Sequence, residues 1–232
     1  MCYNPFENRK KGCQVKKMLK RYGHAWLLCY WLIYLPWFFY LERTVQKDYT
    51  NMHVALDDAI PFSEYFIIPY LLWFFYVGGA MVYFFFADRQ DYYRLCTFLF
   101  VGMTICLMIC TFFPNGTDLR TEVDPGKNLC SWLVHRIHIA DTPTNVFPSI
   151  HVYNSVGVHC AVAHSGRLEK YKGIRNVSLG LMVLICMSTV CLKQHSVMDV
   201  AGAVLLAYAI YPFVYGSVYA SGHRPVRQKA LG

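Results

Sequence analysis

The sequence predicts an all-α protein embedded in a membrane, a bundle of six transmembrane helices. Three observations carry that prediction. The 232 residues are 56% hydrophobic and only 16% charged, where a soluble domain carries about a quarter charged residues. Aromatic residues make up 17% of the chain, a load suited to side chains that meet lipid and its interface. The apolar residues also fall into six long runs, at 25–41, 65–86, 95–113, 150–163, 177–192 and 197–218. The same numbers disfavour a small soluble globule, a disordered chain and a disulfide-stapled mini-protein.

Run 25–41 exceeds a signal-peptide core. Glu42-Arg43 follows it where small cleavage-site residues would stand, so it reads as an uncleaved anchor. Runs 65–86, 95–113 and 197–218 are long enough to cross a hydrocarbon core of about 30 Å at about 1.5 Å per residue. Run 177–192 is somewhat short. Run 150–163 is the weakest, with Asn154, Ser155 and His159 inside it. Residues 57–62, Asp-Asp-Ala-Ile-Pro-Phe, read as an interfacial lead-in to the second run, with acids at the surface and Pro61 near a helix start. Most of the ten cysteines fall inside or at the ends of apolar runs and no Cys-x-x-Cys occurs, so they read as small packing residues. Asn115-Gly116-Thr117 is a glycosylation sequon, with meaning only in a glycosylating secretory pathway.

Charge predicts the sidedness. Residues 1–23 hold seven basic residues against Glu7, and the tail adds Arg224, Arg227 and Lys229. Basic residues gather on the cytoplasmic side of membrane spans, which places both termini inside. With six spans, 88–94 (Arg89, Arg94) and 164–175 (Arg167, Lys170, Lys172, Arg175) are also inside, while 42–64, 114–149 and 193–196 are outside. The organisation is then a basic segment 1–23, a membrane domain 24–222 with a long outer loop 114–149, and a basic tail 223–232, in the cell membrane. Nucleic acid is not the expected partner, because the charge sits at the chain ends rather than as a stripe on the folded domain.

The chemistry concentrates at two histidines on the outer face. Asp199 is the one acid inside the six runs, and an intramembrane acid is functional by default. His195 stands four residues earlier, so the pair shares a helix face. The carboxylate can hold the imidazole Nδ1–H and leave Nε2 with its lone pair, the orienting logic of a triad applied to a histidine nucleophile. A structural pair capping a helix is the plainer alternative. His151 opens the fourth run and suits a general acid for an alkoxide leaving group. Ser149 and the N–H groups around it lie at a helix start, which favours anions. Arg120, Lys193 and Lys127, in that order, are the basic candidates for holding phosphate oxygens; for each, a solvated loop charge is the alternative. His135 and His138 lack the further ligands a zinc site needs. Nucleotide-binding glycine loops and serine-esterase elbows are absent.

These residues resemble the three signatures of the type 2 phosphatidic acid phosphatase superfamily: Lys-x6-Arg-Pro, Pro-Ser-Gly-His and Ser-Arg-x5-His-x3-Asp. Arg120 takes the Arg place of the first, with Phe113 at the Lys and Thr121 at the Pro. Pro148-Ser149-Ile150-His151 matches the second with Ile150 for Gly. Ser188-Thr189-x5-His195-x3-Asp199 matches the third with Thr189 for Arg. The resemblance covers about residues 110–205, and the six-span layout extends it over the chain. It implies a membrane lipid phosphatase that acts on a lipid phosphate or diphosphate through a phosphohistidine on His195, with no metal or other cofactor. The apolar residue inside Pro-Ser-x-His and the missing Arg also resemble the inositol-phosphorylceramide-synthase-like branch, which implies transfer of a phospho-headgroup to a lipid alcohol. A non-catalytic scaffold of the same fold is a third possibility, and a transporter is disfavoured because no paired repeat is present.

Overall fold

The computed structural model describes residues 22–45 and 48–220, with side chains described to residue 216. The basic terminal stretches that predict sidedness lie outside these residues. A 3-10 stretch Gly23–Tyr30 leads into α1 (Trp31–Thr44). Then come β1 (Thr50–Asn51), the short α2 (Ala55–Ala59), α3 (Ile67–Ala87) and α4 (Arg89–Phe112). β2 (Asn115–Gly116), α5 (Leu129–Ala140), α6 (Ile150–His164), α7 (Lys172–Cys191) and α8 (Val197–Ala220) complete the described fold.

Among the described residues, five segments are long and apolar enough to cross a membrane: Gly23–Thr44, Glu64–Ala87, Arg89–Phe112, Lys172–Cys191 and Val197–Gly216. They match the first, second, third, fifth and sixth runs. The fourth run is α6, a helix of 15 residues, short of the roughly 20 that a span needs. Its position explains its composition. α6 packs against α3, α4, α7 and α8, so its small and polar residues face protein rather than lipid. Asn154, Ser155 and Gly157 are all buried. The outer helices show the reverse pattern, with Phe75, Phe86, Phe112, Tyr208 and Phe213 exposed. Exposed large apolar side chains on helices of spanning length suit a surface that meets lipid.

The hub is held by a reciprocal fit with α4. Gly102 makes room for the ring of Tyr153, which a Cβ there would overlap. Gly157 makes room for Phe98, whose Cδ1 would lie 2.6 Å from an added Cβ. The two rings stack with centroids 5.1 Å apart, and the Tyr153 hydroxyl donates to the Phe98 carbonyl at 2.7 Å. Each glycine is thus the socket for the partner helix's aromatic ring.

The connections 45–66 and 113–149 are tied to each other at one end of the bundle. β1 and β2 pair in parallel, Thr50 with Asn115 and Asn51 with Gly116, and Gly116 also bridges to Thr144. The sequon residue Asn115 is fully buried. Its Nδ2 donates to the Phe113 carbonyl at 2.8 Å, and its Oδ1 accepts from the Phe147 N–H at 2.8 Å. In this fold the side chain is a staple, with no face open to a glycan. Glu42 anchors the loop to the end of α1, accepting from the Thr142 hydroxyl at 2.8 Å and the Asn145 amide at 3.2 Å. His53 bridges Asp58 and Asp118 at 2.9 and 3.0 Å, and the two carboxylates raise its pKa above the ordinary 6.5. Asp88, Asn128 and Ser149 cap α4, α5 and α6 by accepting first-turn N–H groups.

Two outcomes follow from this packing. Gly102→Ala should lower stability by about 1–3 kcal/mol through overpacking, read as a fall in thermal midpoint in detergent. Gly79→Ala, where no atom lies within 4 Å of the added Cβ, should not. The stabilisation from His53 should be fully present below about pH 6.5 and be lost as pH rises through the raised pKa. The thermal midpoints of wild type and His53→Gln should therefore converge at alkaline pH; a difference that persists there would show that charge is not its source.

Candidate active site

The site forms where the turn between α7 and α8 meets the N-terminus of α6. α7 ends with Leu192 as its C-cap, and Lys193 follows in the left-handed region with φ 57, a geometry that closes helices and that lysine adopts at some cost. The backbone N–H groups of Gln194 and His195 both donate to the Thr189 carbonyl, at 3.0 and 3.1 Å. This tight turn delivers His195 directly to the start of α8.

Ser196, just before α8, and Asp199 in its first turn are fully buried, and the N–H groups that open the helix need acceptors. Asp199 supplies one: its Oδ2 accepts from the Ser196 N–H at 2.9 Å and lies 3.3 Å from His195 Nδ1. A carboxylate accepts, so this contact favours the tautomer in which Nδ1 carries the proton and Nε2 the lone pair. Asp57 supplies the other. Its Oδ1 accepts from the Val197 N–H at 2.8 Å and its Oδ2 from the Ser196 hydroxyl at 2.6 Å. It is 2% exposed, so it is no surface acid of a lead-in: the demand of a buried helix end draws it inside. Asp58, its neighbour, does stay exposed.

His151, in the first turn of α6, is flanked by aromatic rings of α3. Tyr70 stacks on it with centroids 4.6 Å apart, and Trp73 lies 4.5 Å away. The two histidine rings meet edge to face, 5.6 Å between centroids. Ser149 is fully buried; its hydroxyl accepts from the Val152 N–H at 3.5 Å, and its backbone N–H donates to the Asp199 carbonyl at 3.2 Å. That bond joins the start of α6 directly to the start of α8.

Arg120 reaches the site from the loop, its side chain 13% exposed. It donates to the carbonyls of Asp141 and Thr142 at 2.7 and 3.0 Å, to Asp141 Oδ2 at 3.2 Å and to Gln194 Oε1 at 2.8 Å. Burial raises the Asp141 carboxyl above its usual range, with Arg120 pulling the other way. Burial and the same guanidinium hold the His138 imidazole down to about 4, so it is neutral at ordinary pH.

The structure thus brings together His195, Asp199, His151, Ser149 and Arg120. Lys193 stands beside them, but its ammonium is engaged by the Asp57 carbonyl. Lys127 is set apart on the loop surface, paired with Glu64 at 2.6 Å. Among the described residues no group of three or more His, Cys, Asp or Glu could hold a metal ion. Sequence reasoning missed Asp57, Gln194, Asp141, Tyr70 and Trp73. The spacing of Tyr70 and Trp73 puts them on one helix face and is readable; what they pack against is not.

Chemically, the arrangement supplies one imidazole with a fixed tautomer, a second imidazole in an aromatic cage, and a guanidinium beside them. The chain is an all-α membrane protein. No family model, curated protein or solved structure matches it.

Asp57→Ala should strip acceptors from Ser196 and Val197, costing about 1–3 kcal/mol and loosening the His195 turn. Thermal unfolding should show the loss. An unchanged midpoint would mean that the buried helix end finds other partners.

Proposed function

We propose that this protein is a six-span membrane lipid phosphatase similar to the type 2 phosphatidic acid phosphatase superfamily. It would act on a lipid phosphate or diphosphate at the extracytoplasmic face of the cell membrane, with both termini in the cytoplasm. The observation that carries this reading is convergence. Arg120, the pair Ser149 and His151, and the pair His195 and Asp199 come from three separate stretches of the chain yet meet through Arg120–Gln194, Ser149–Asp199 and His151–His195. In the scheme, His195 Nε2 attacks phosphorus and the bond from phosphorus to the lipid oxygen breaks. His151 donates the proton that this oxygen takes up. His151 then takes a proton from water, which attacks the phosphohistidine, releases phosphate and regenerates His195.

A specific feature favours a second reading, transfer of a phospho-headgroup from a lipid phosphodiester to a lipid alcohol. Of the three basic residues expected at the phosphate, Lys127 is paired with Glu64 on the loop surface, while the Lys193 ammonium, still charged, donates to the Asp57 backbone carbonyl. Arg120 is partly offset by Asp141. With Lys127 withdrawn and Arg120 shared with Asp141, the site suits a phosphodiester with one negative charge better than a phosphomonoester with two.

The experiment is a panel of lipid phosphates, with and without lipid alcohols and a phosphodiester donor, followed for free phosphate. His195→Ala should abolish turnover and any acid-labile phosphoenzyme, and Asp199→Asn should cost orders of magnitude, as loss of an orienting Asp does in a triad. His151→Ala should be partly rescued on nitrophenyl phosphate, whose leaving group needs little protonation. Rescue of His195→Ala instead would reverse the two roles. For the topology, a membrane-impermeant thiol reagent applied to intact cells should label a cysteine placed at 124 and not one at 170. Labelling of both would end the six-span reading.

A further inference from the structure

Gln194 stands between Lys193 and His195, and the scheme above gives it no role. It is 3% exposed. Its Oε1 accepts from Arg120 at 2.8 Å. A guanidinium can only donate, so the amide's orientation is determined: its oxygen, not its nitrogen, meets Arg120. The Nε2 amide, with two N–H donors, is buried and has no acceptor among the described residues. Arg120 Nε is in the same condition, although both terminal nitrogens donate, one to the Asp141 carbonyl and the other to Asp141 Oδ2, Thr142 and Gln194.

Buried donors without acceptors are rare, and each requires a reason. Here two belong to side chains joined by one hydrogen bond, next to the proposed nucleophile. An amide N–H and a guanidinium N–H are both donors that suit the oxygens of an oxyanion. A neutral amide donor holds a phosphate oxygen without adding a cation.

Resting on the phosphoryl-transfer reading, we propose that Gln194 Nε2 and Arg120 Nε together seat the non-bridging oxygens of the substrate phosphate. Gln194 is then a substrate-binding residue, and the Arg120 bond is what aims it.

The test separates this role from a merely structural one. Gln194→Glu keeps an oxygen for Arg120 but turns the donor into a charged acceptor. Orthovanadate binding to the purified full chain, by titration calorimetry, should weaken at least about tenfold, the size of one lost hydrogen bond to a charged group. The thermal midpoint should stay at the wild-type value. Gln194→Met, without donor or charge, is the second variant and should weaken binding similarly. Gln90→Glu, on an exposed residue of α4, should leave binding unchanged. Wild-type vanadate affinity in either folded Gln194 variant overturns the seat, as does a wild-type protein that binds no vanadate. If lipid phosphates are hydrolysed while Gln194→Glu binds vanadate normally, the seat falls and the phosphatase reading stands. If wild type binds vanadate through Gln194 yet turns over none of the lipids, the seat stands and the catalytic reading falls.

Discussion

A helix that begins inside a protein leaves N–H groups with no water to meet them, and α8 begins this way. Two buried carboxylates answer that demand. Asp199, from the helix itself, takes the Ser196 N–H; Asp57, from a distant segment, takes Val197 N–H and the Ser196 hydroxyl. The rest of the site depends on this arrangement. The Asp199 oxygen that caps the helix also lies 3.3 Å from His195 Nδ1, so a structural requirement and the orientation of an imidazole are met by the same atom. Asp57 in turn holds Lys193 through its carbonyl, and so stabilises the left-handed turn that places His195. A helix cap and a catalytic dyad were rival readings of the sequence; at Asp199 one side chain serves both geometries.

The second constraint is depth. Polar chemistry within an apolar bundle needs a position that lipid does not reach, and α6 is that position. It is surrounded by four helices and closely seated by the exchange of rings and glycines with α4. The N-terminus of α6 opens toward the loop layer, where Ser149, His151 and the α8 turn meet. Gly202 completes the seat: a Cβ there would lie 2.5 Å from Phe147, just before the start of α6. Rigid packing beneath and a hydrogen-bonded loop above leave the two imidazoles between them.

Much of this was legible from residue order alone. Five apolar runs became helices of spanning length, because hydropathy over about twenty residues is a local property that lipid reads directly. The His195–Asp199 pair was legible for a similar reason, since a separation of four on a helix fixes a shared face. The fourth run was harder to interpret. Asn154, Ser155 and His159 weaken it as a span, and the same residues make sense once the helix is central.

What the sequence determined by itself was therefore the all-α membrane class, the position of the apolar helices and the histidine–carboxylate spacing, because each depends on neighbours in the chain. The tertiary structure decided which charges matter. Asp57 and Asp58 are adjacent and chemically identical, yet one caps α8 in the interior and the other lies exposed beside His53. Arg120, Lys193 and Lys127 look alike as loop cations, yet Arg120 meets Gln194 at the site, Lys193 is engaged by a carbonyl and Lys127 pairs with Glu64 on the loop surface. No local pattern separates them. A charge is assigned by the partner that folding brings to it, and these partners come from segments as much as 140 residues away.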